Sequence, residues 1–238
     1  MNFLKSIRSA LLWTIGILYM FFFLLFLISV SYLFKQKVWD RWVKAATRLL
    51  FKLLWIKVEI RGMENLDKTK TYLFMGNHIN MFDIPVFLGF IPMHFRGMEA
   101  SGHFKTPLYG LALKRYGNIP MERTNPRASF KSIQQGIDLL KQGICVTILP
   151  EGTRATKPEL GEFKKLPFAM AQKSGVGIMP IALSGLWKVN HKTSWHINPG
   201  KVTLSFGQEI YSETIASIST DELMKLTRER IQEMIIEP

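Results

Sequence analysis

The chain has 238 residues, which is enough for one domain with a full hydrophobic core and too few for two comfortable domains. Its 31 Lys and Arg residues outnumber its 18 Asp and Glu residues, and the formal net charge is +13. The single cysteine, Cys145, excludes a disulfide bond within the chain and a zinc site built from cysteines.

The positive charge is concentrated near the N-terminus, beside an apolar segment. Residues 1–61 contain ten basic and two acidic residues. Basic charge next to a hydrophobic stretch favours anionic lipid over nucleic acid as a partner. We therefore expect no nucleic-acid partner.

Residues 10–34 carry no charged side chain and predict one long apolar helix. Such a helix would extend about 38 Å, whereas the hydrocarbon core of a bilayer is about 30 Å thick. A buried core helix fits this length less well, and no small-residue cleavage site follows the run to indicate a signal peptide. Basic residues are more numerous after the run than before it, so the rest of the chain is expected on the cytoplasmic side of the membrane.

The next stretch, residues 38–56, predicts an amphipathic helix. Its apolar positions, including Trp39 and Leu50, recur at steps of three and four, whereas Asp40, Lys44 and Arg48 occupy the other face. Such a helix suits the lipid headgroup layer, and the alternative is a helix packed on the domain. We predict that residues 1–56 form a membrane anchor, either spanning the bilayer or folded as a hairpin within one leaflet.

From residue 57 onwards, short apolar runs alternate with amphipathic stretches. The predicted strands are 56–62, 71–77, 93–100, 144–152, 177–185 and 201–207. The predicted helices are 83–90, 106–117, 125–143, 163–175 and 219–235. Several of the strands are apolar throughout, as expected when both faces of a sheet are covered. The predicted fold class is α/β, with a mostly parallel or mixed sheet covered by helices over residues 57–238.

The stretch MGNHINMFDIP, residues 75–85, follows one predicted strand and contains a histidine and a carboxylate. Asp83, two positions before Pro85, is expected near a helix N-cap, and His78 lies on the preceding turn. If this turn brings the two side chains together, Asp83 would hold one ring nitrogen while the other acts as a base. The alternative is that Asp83 is only a cap and His78 only a surface residue.

A second motif, ILPEGTR, follows another buried strand. Gly152 allows a turn whose amides converge on an anion, and Arg154 offers a planar fork of donors for phosphate or carboxylate. Loops at the ends of two neighbouring strands would face one crevice. Two further basic residues, Lys105 and Arg123, are candidates for phosphate binding, although a lone basic residue is more often simply solvated.

Taken together, these stretches resemble one family, the glycerolipid acyltransferases. HINMFD, NIPMERTN, PEGTR and GIMPIAL fit its four boxes, in the family's order, and the best fit is to bacterial 1-acylglycerol-3-phosphate acyltransferases. The departures are small, since the second box has Pro-Met-Glu where many members carry an apolar-aromatic-Asp run, and the third has Leu-Pro where Phe-Pro is frequent.

The resemblance implies a substrate, a mechanism and a set of residues. It implies transfer of an acyl group from an acyl carrier protein or coenzyme A thioester to lysophosphatidic acid, with no cofactor and no metal. His78 and Asp83 would be catalytic, and Arg123 would bind the acceptor phosphate with help from Lys105. The acceptor pocket would contain Glu151, Gly152, Thr153 and Arg154, with Glu151 on a glycerol hydroxyl. Donors to the oxyanion are expected from amides near Gly152 or from Lys105.

Several alternatives stay open. The acceptor could instead be another lysophospholipid, glycerol 3-phosphate or an aminolipid precursor. A non-catalytic, basic membrane-binding scaffold would explain the charge but leave His78 without a role. A metal-dependent phosphohydrolase using His78, His94, His103 and Asp83 has no recognisable ligand spacing. A covalent acyl-enzyme is not expected, because the chain lacks a G-x-S-x-G motif and Cys145 lies in a strand pattern.

Overall fold

The computed structural model of the chain describes residues 2–122 and 125–236. The helices in this part of the chain are α1 (Asn2–Leu33), α2 (Gln36–Leu53), α3 (Asp83–Phe90), α4 (Tyr109–Tyr116), α5 (Pro126–Lys141), α6 (Lys165–Ser174), α7 (Leu186–Val189), α8 (Ser212–Ser217) and α9 (Thr220–Met234). The strands are β1 (Ile56–Arg61), β2 (Tyr72–Gly76), β3 (Phe95–Ala100), β4 (Ile119–Met121), β5 (Cys145–Ile148), β6 (Gly177–Ser184) and β7 (Gly200–Phe206). Two short 3₁₀ turns cover Met63–Asn65 and Ser101–Lys105.

The described strands form one mixed sheet in the order β1-β7-β6-β2-β5-β3-β4. β2 pairs in parallel with β5 and β6, and β3 pairs in parallel with β4 and β5. β7 runs antiparallel to β6 and parallel to β1. The predicted α/β class with a mixed sheet is confirmed. β4 has no counterpart among the predicted strands, because it is only three residues long.

The central strand β2 is buried on both faces. Tyr72 and Phe74 belong to the apolar cluster beneath α2 and α3, whereas Leu73 and Met75 belong to the cluster beneath α5, α6 and α9. All four side chains are 0% exposed. A strand covered on both sides has no polar face, which is why its sequence shows an apolar run without alternation.

β6 contains Pro180 although it lies inside the sheet. The ladder from β6 to β7 begins only at Ile181, one residue later. The Pro180 carbonyl points to this side, where it accepts a hydrogen bond from the Gly207 amide at 2.8 Å. The ring nitrogen points the same way and therefore removes no donor from the ladder with β2.

α1 is longer than the predicted helix and begins at Asn2 instead of residue 10. Its first turns pack on the segment before β7, where the Ser9 hydroxyl bonds to both the carbonyl and the amide of Ile197 at 3.4 and 3.2 Å. At its other end, Arg115 of α4 donates to the Ser31 hydroxyl and carbonyl at 3.0 and 2.6 Å. The body of the protein therefore holds α1 near both ends.

Within the described residues, α1 is the one helix that is long and apolar enough to cross a membrane, by length and composition alone. Large apolar side chains along it are exposed, among them Phe3, Leu4, Phe22 and Leu33. This exposed apolar surface is consistent with membrane association.

α2 packs on the body with one side and differs from the prediction in its polar residues. Trp39, Val43 and Phe51 are buried, as expected for an apolar face. Asp40 and Lys44, expected on the face turned to the headgroups, are also buried, and each is only 7% exposed. The prediction was wrong for these two residues because further partners outside α2, among them Tyr116 and the Ile91 carbonyl, hold them in the interior.

Asp40 is the centre of a buried polar cluster between α2, α4 and β3. Its Oδ1 accepts a hydrogen bond from the Tyr116 hydroxyl at 2.7 Å and lies 3.1 Å from His94 Nδ1. Its Oδ2 lies 3.6 Å from Lys44 Nζ, which also donates to the Ile91 carbonyl at 3.0 Å. These contacts join the N-terminal helices to the rest of the protein.

The two charges of this cluster keep each other ionised. Burial raises the pKa of Asp40, but the hydrogen bonds from His94 and Tyr116 and the charge of Lys44 outweigh it, so the net pKa lies below the ordinary value. Burial lowers the pKa of Lys44, and the neighbouring Asp40 carboxylate opposes that change. Removing either charge would therefore leave the other buried without a counter-ion.

We expect Asp40→Ala to lower the free energy of unfolding by about 3 kcal/mol or more, because it leaves the Lys44 ammonium buried and unpaired. Chemical denaturation in one detergent would measure this loss. Asp221→Ala is the matched control, since Asp221 pairs with Lys165 at 2.8 Å while both side chains are largely exposed. Such a pair contributes about 0–1 kcal/mol. Equal losses in the free energy of unfolding in the two variants would contradict the stabilising role given to Asp40.

Candidate active site

His78 and Asp83 lie in contact in the loop between β2 and α3. The Nδ1 atom of His78 is 2.7 Å from Asp83 Oδ2. The same carboxylate accepts hydrogen bonds from the backbone amides of Ile79 at 2.7 Å and Asn80 at 3.1 Å. Asp83 is the first residue of α3, next to the N-cap position expected for it, but its side chain does not cap the helix. The carboxylate reaches back to the preceding loop, which was the other arrangement considered from the sequence. The turn between the two residues therefore brings them together.

The burial of this pair is asymmetric. Asp83 is 0% exposed, whereas the side chain of His78 is 17% exposed. Burial raises the pKa of Asp83, and the hydrogen bonds from His78 and the loop amides oppose this change. An ionised Asp83 accepts the proton on Nδ1, which leaves Nε2 unprotonated on the opposite edge of the ring. The pair can therefore take up a proton at Nε2.

Two asparagines hold this loop in place, and neither was identified from the sequence. The Asn77 side chain accepts from the amide of Leu183 at 2.8 Å and donates to its carbonyl at 2.9 Å. The Asn80 side chain donates to the carbonyls of Leu186 and Asn190 at 3.0 and 2.6 Å. These partners are more than 100 positions away in the sequence. The only signal for the two asparagines was therefore their position as polar residues directly after an apolar strand.

The loop after β5 lies beside the His78 loop because β5 and β2 are neighbours. Glu151 Oε1 accepts a hydrogen bond from the His78 amide at 2.6 Å, and the Ala155 amide donates to the His78 carbonyl at 2.8 Å. Glu151 Oε2 accepts from the Gly161 amide at 2.8 Å. Burial raises the pKa of Glu151, and these hydrogen bonds oppose the change. The expectation that both loops meet at the carboxyl edge of the sheet matches this arrangement.

Two cavities meet at His78. The first is an apolar cavity of about 450 Å³. Its walls come from α1, α2, α3, β3 and α4 and include Tyr19, Phe23, Leu27, Leu113 and Tyr116. The second cavity, of about 430 Å³, shares His78, Ile84, Glu99 and His103 with the first. Its own lining includes Met121, Gly152, Lys164 and Leu166. The imidazole is thus accessible from both spaces.

Glu99, which was also not identified from the sequence, lines both cavities and is 6% exposed. It accepts hydrogen bonds from the Tyr109 hydroxyl at 2.8 Å and from the Asn118 amide group at 3.0 Å. Burial raises the pKa of Tyr109 well above its ordinary value, and the Glu99 charge adds to this. This polar group therefore forms part of the wall where the two cavities join.

The remaining predicted site residues are only partly brought together. Gly152 lines the second cavity, and Arg154 lines the apolar one at an exposed position. Thr153 is exposed. Lys105 is exposed and lines neither cavity. Arg123 lies outside the described residues.

Two groups expected to contact the substrate, the Gly152 amide and the Glu151 carboxylate, bond to other parts of the protein instead. The Gly152 amide donates to the Leu149 carbonyl at 3.0 Å, so it is already used within its own turn. Glu151 is 4% exposed, lines neither cavity, and holds backbone amides with both oxygens. Its placement favours a structural role, in which it binds backbone amides, over contact with a glycerol hydroxyl of the acceptor.

Among the described residues, no group of three or more His, Cys, Asp and Glu side chains could hold a metal ion. His94 lies with Asp40 in the cluster beneath α2, and His103 lies beside Glu99. The set of residues proposed for a metal-dependent phosphohydrolase is therefore not assembled around His78.

Fold and site define a class of protein: a mixed α/β domain with a His–Asp pair at the carboxyl edge of its sheet, between two cavities. Residues 57–184 match the Acyltransferase family, and this is more than half of the chain. The chain belongs to the acyltransferase family, which confirms the resemblance seen in the four boxes.

Individual relatives agree with this assignment. The chain is similar to a 1-acyl-sn-glycerol-3-phosphate acyltransferase of Arabidopsis thaliana, LPAT1, chloroplastic, with 33% identity over 179 residues, 74% of this chain and 49% of the relative. It is 27% identical over 177 residues to a protein named 1-acyl-sn-glycerol-3-phosphate acyltransferase in Pseudomonas aeruginosa, covering 73% of this chain and 67% of the relative. The chain spans about half the length of the relatives from Arabidopsis thaliana, Brassica napus and Chlamydomonas reinhardtii.

A solved structure shares the fold. The crystal structure of the 1-acyl-sn-glycerophosphate (LPA) acyltransferase PlsC from Thermotoga maritima aligns with a TM-score of 0.83 and 23% identity. The alignment covers 96% of this chain and 95% of that chain. The likeness therefore includes the N-terminal helices as well as the sheet.

We expect Asn77→Ala to lower the free energy of unfolding by about 1–3 kcal/mol, because it leaves the buried amide and carbonyl of Leu183 without a partner. Chemical denaturation would measure the loss. Gln134→Ala is the matched control, because its amide donates to Asp138 at 2.9 Å on the exposed face of α5. A loss no larger than that of the control would show that Asn77 does not secure the loop.

Proposed function

We propose that the chain transfers a fatty acyl group from an acyl thioester to the sn-2 hydroxyl of lysophosphatidic acid, giving phosphatidic acid in phospholipid biosynthesis. The observation that carries the proposal is the His78–Asp83 pair, joined at 2.7 Å and accessible from two cavities. Membership of the acyltransferase family and the names of the relatives support the same reaction.

In this proposal His78 is the general base. Its Nε2 takes the proton of the acceptor hydroxyl as that oxygen attacks the thioester carbonyl, and the departing thiolate then receives the proton. Asp83 keeps the imidazole in the required tautomer and stabilises the imidazolium, because its charge is buried without a cation. Positioned proton transfer of this kind contributes about 10²- to 10⁴-fold to a rate.

The transfer is proposed to be direct, within a complex of both substrates. Burial raises the pKa of the Cys145 thiol, and its sulfur accepts a hydrogen bond from the Tyr72 amide at 3.3 Å inside the sheet. A buried thiol with a raised pKa is a poor nucleophile. Transfer through an enzyme-bound acyl group at Cys145 is therefore not part of the proposal.

The two cavities suggest how the substrates divide the site. The apolar cavity suits a fatty acyl chain, since alkyl and aromatic side chains dominate its walls. For the acceptor phosphate we propose Arg123, on the strength of its box in the sequence, together with Arg154 and Lys164 at the cavity walls. Lys164 replaces Lys105, which lies outside both cavities. Gly152 and Thr153 complete the loop on this side.

The donor is proposed to be an acyl carrier protein or coenzyme A thioester, used as a co-substrate without a further cofactor. Purified protein assayed with lysophosphatidic acid and each donor should form phosphatidic acid with at least one. Glycerol 3-phosphate, another lysophospholipid and an aminolipid precursor, tested in parallel, should give lower kcat/KM. A higher value with any of these acceptors would replace lysophosphatidic acid in the proposal.

We expect His78→Ala to lower kcat by about 10²- to 10⁴-fold while the protein still binds vesicles, because only the base is lost. His191→Ala is the control, since His191 bonds to Thr193 at 2.9 Å on an exposed loop that lines neither cavity. Product formation and vesicle co-sedimentation should be measured on the same preparations. Full turnover by the His78 variant would assign the base to a different group, whereas vesicle binding without product formation by the unmodified protein would favour a membrane-binding scaffold.

We also propose that residues 1–56 form a membrane anchor for a catalytic domain over residues 57–238, and that α1 lies in one leaflet. Ser9 and Ser31 both contact the body, yet they are about 33 Å apart along a helix, which is about the thickness of the hydrocarbon core. A spanning helix would place one of these contacts on the far side. The basic residues after α1 favour a cytoplasmic body at a bacterial inner membrane.

Single cysteines at the two ends of α1, Lys5→Cys and Lys35→Cys in a Cys145→Ala background, would test this topology. We expect an impermeant maleimide to label both cysteines in inverted inner-membrane vesicles and neither in right-side-out vesicles, because both ends lie on the cytoplasmic side. Labelling of Lys5→Cys from the opposite side to Lys35→Cys would show that α1 spans the bilayer.

A further inference from the structure

We propose that Glu151 is a positioning residue, whose buried carboxylate ties the His78 backbone to Gly161, and that Arg228 of α9 braces the far side of this tie. The inference rests on the proposed function, because it gives Glu151 a task that acts through His78. The positioning role takes the place of the contact with the acceptor that was expected for Glu151. It also involves Gly161 and Arg228, which lie outside all four family boxes.

The carboxylate of Glu151 joins two separate stretches of backbone. One oxygen accepts from the His78 amide at 2.6 Å, and the other accepts from the Gly161 amide at 2.8 Å. The side chain is 4% exposed. A buried carboxylate that accepts two amides is strongly held, since hydrogen bonds to a charged group are about twice as strong as neutral ones. The His78 backbone is therefore fixed by a charge that faces away from the substrate cavities.

Gly161 allows the close approach on which this contact depends. A Cβ atom at this position would lie 2.5 Å from Glu151 Oε2, well inside the normal contact distance. The carboxylate has little freedom to move aside, because its other oxygen is bonded to His78. A side chain at residue 161 would therefore displace the Glu151 carboxylate and weaken its bonds to the Gly161 and His78 amides.

Arg228 holds the opposite side of the same backbone segment. Its guanidinium donates to the Leu160 carbonyl at 2.6 Å and also to the Gly161 carbonyl. It packs over the Phe163 ring, with 5.6 Å between the guanidinium carbon and the ring centroid. Gly161 is thus bonded through its amide to Glu151 and through its carbonyl to Arg228. The C-terminal helix α9 is in this way connected to the His78 loop.

The segment from residue 150 to 164 is closed back onto the site at further points. The Lys164 amide donates to the Pro150 carbonyl at 2.8 Å, and the Ala155 amide donates to the His78 carbonyl at 2.8 Å. The backbone of His78 is therefore gripped at its amide by Glu151 and at its carbonyl by Ala155. Its ring is fixed separately, by Asp83.

This arrangement predicts a loss in turnover without a loss in binding. Glu151 lines neither cavity, so its replacement removes no contact with a substrate lying there. A displaced imidazole, by contrast, misses the line of proton transfer, and a misplacement of about 1 Å can lower a rate by about 10²-fold. An acceptor ligand would behave in the opposite way, because its loss raises the KM for the acceptor.

Glu151→Gln tests the inference with almost no change in shape. Glutamine accepts through one oxygen only, and its NH₂ group would face the second amide as another donor. We expect kcat to fall by about 10- to 100-fold, with the KM values for lysophosphatidic acid and the thioester donor changed less than twofold. Glu162→Gln is the matched control on the same segment, since Glu162 is exposed, and it should match the unmodified protein.

Two further variants keep the test decisive if Glu151→Gln folds poorly. Gly161→Ala should lower kcat to a similar extent. The double variant, Glu151→Gln with Gly161→Ala, should lose no more activity than either single variant, because both substitutions disrupt the same contact. Arg228→Ala should lower kcat by about threefold to tenfold, since the amide contact to Glu151 persists. An unchanged kcat in all three variants, or a selective rise in the acceptor KM, would overturn the positioning role. If the unmodified protein formed no phosphatidic acid, the proposed function itself would fail, whereas a fully active His78→Ala variant would remove only the base through which Glu151 is proposed to act.

Discussion

The buried carboxylate of Asp83 is the constraint on which the site depends. It accepts hydrogen bonds from the His78 ring and from the amides of Ile79 and Asn80, so one charged group fixes both the loop and the imidazole. Among the described residues, a protonated His78 is the one cation that pairs with it. The energetic penalty of that burial is therefore linked to proton uptake by the ring, which is the step that a general base performs.

Much of the fold could be predicted because its signals are local. β2, β5 and β6 are apolar on both faces, and a short apolar run that ends in Gly, Pro or Ser marks such a strand without any knowledge of its neighbours. The His78–Asp83 contact could also be predicted, since the two residues are only five positions apart and one turn brings them together. Family boxes then supplied the chemical context for these positions.

The parts that could not be predicted depend on distant partners. Asn77 is held by Leu183, and the first turns of α1 are held by Ile197, nearly 190 positions away. Asp40 and Lys44 were expected at the lipid headgroups because a buried charge pair and an exposed one look alike in an amphipathic pattern. Glu151 was expected to face the substrate because its motif identifies the residue type but not the direction of its side chain.

The apolar cavity gives α1 a second role besides the membrane anchoring proposed for it. Tyr19, Phe23 and Leu27 belong to this helix and line the same space as His78, so part of the wall of the site is made by the long apolar helix that we propose to lie in the membrane. Moving an alkyl chain through water costs about 0.8 kcal/mol for each CH₂ group, which a chain avoids if it passes from the bilayer directly between α1 and the domain. An anchor tied only by a flexible link would offer no such path, whereas α1 is bonded to the body near both ends. The contacts of Ser9 and Ser31 and the buried Asp40 cluster hold α1 in place as a wall of this cavity, so the proposed lipid chemistry depends on them as well as on the His78–Asp83 pair.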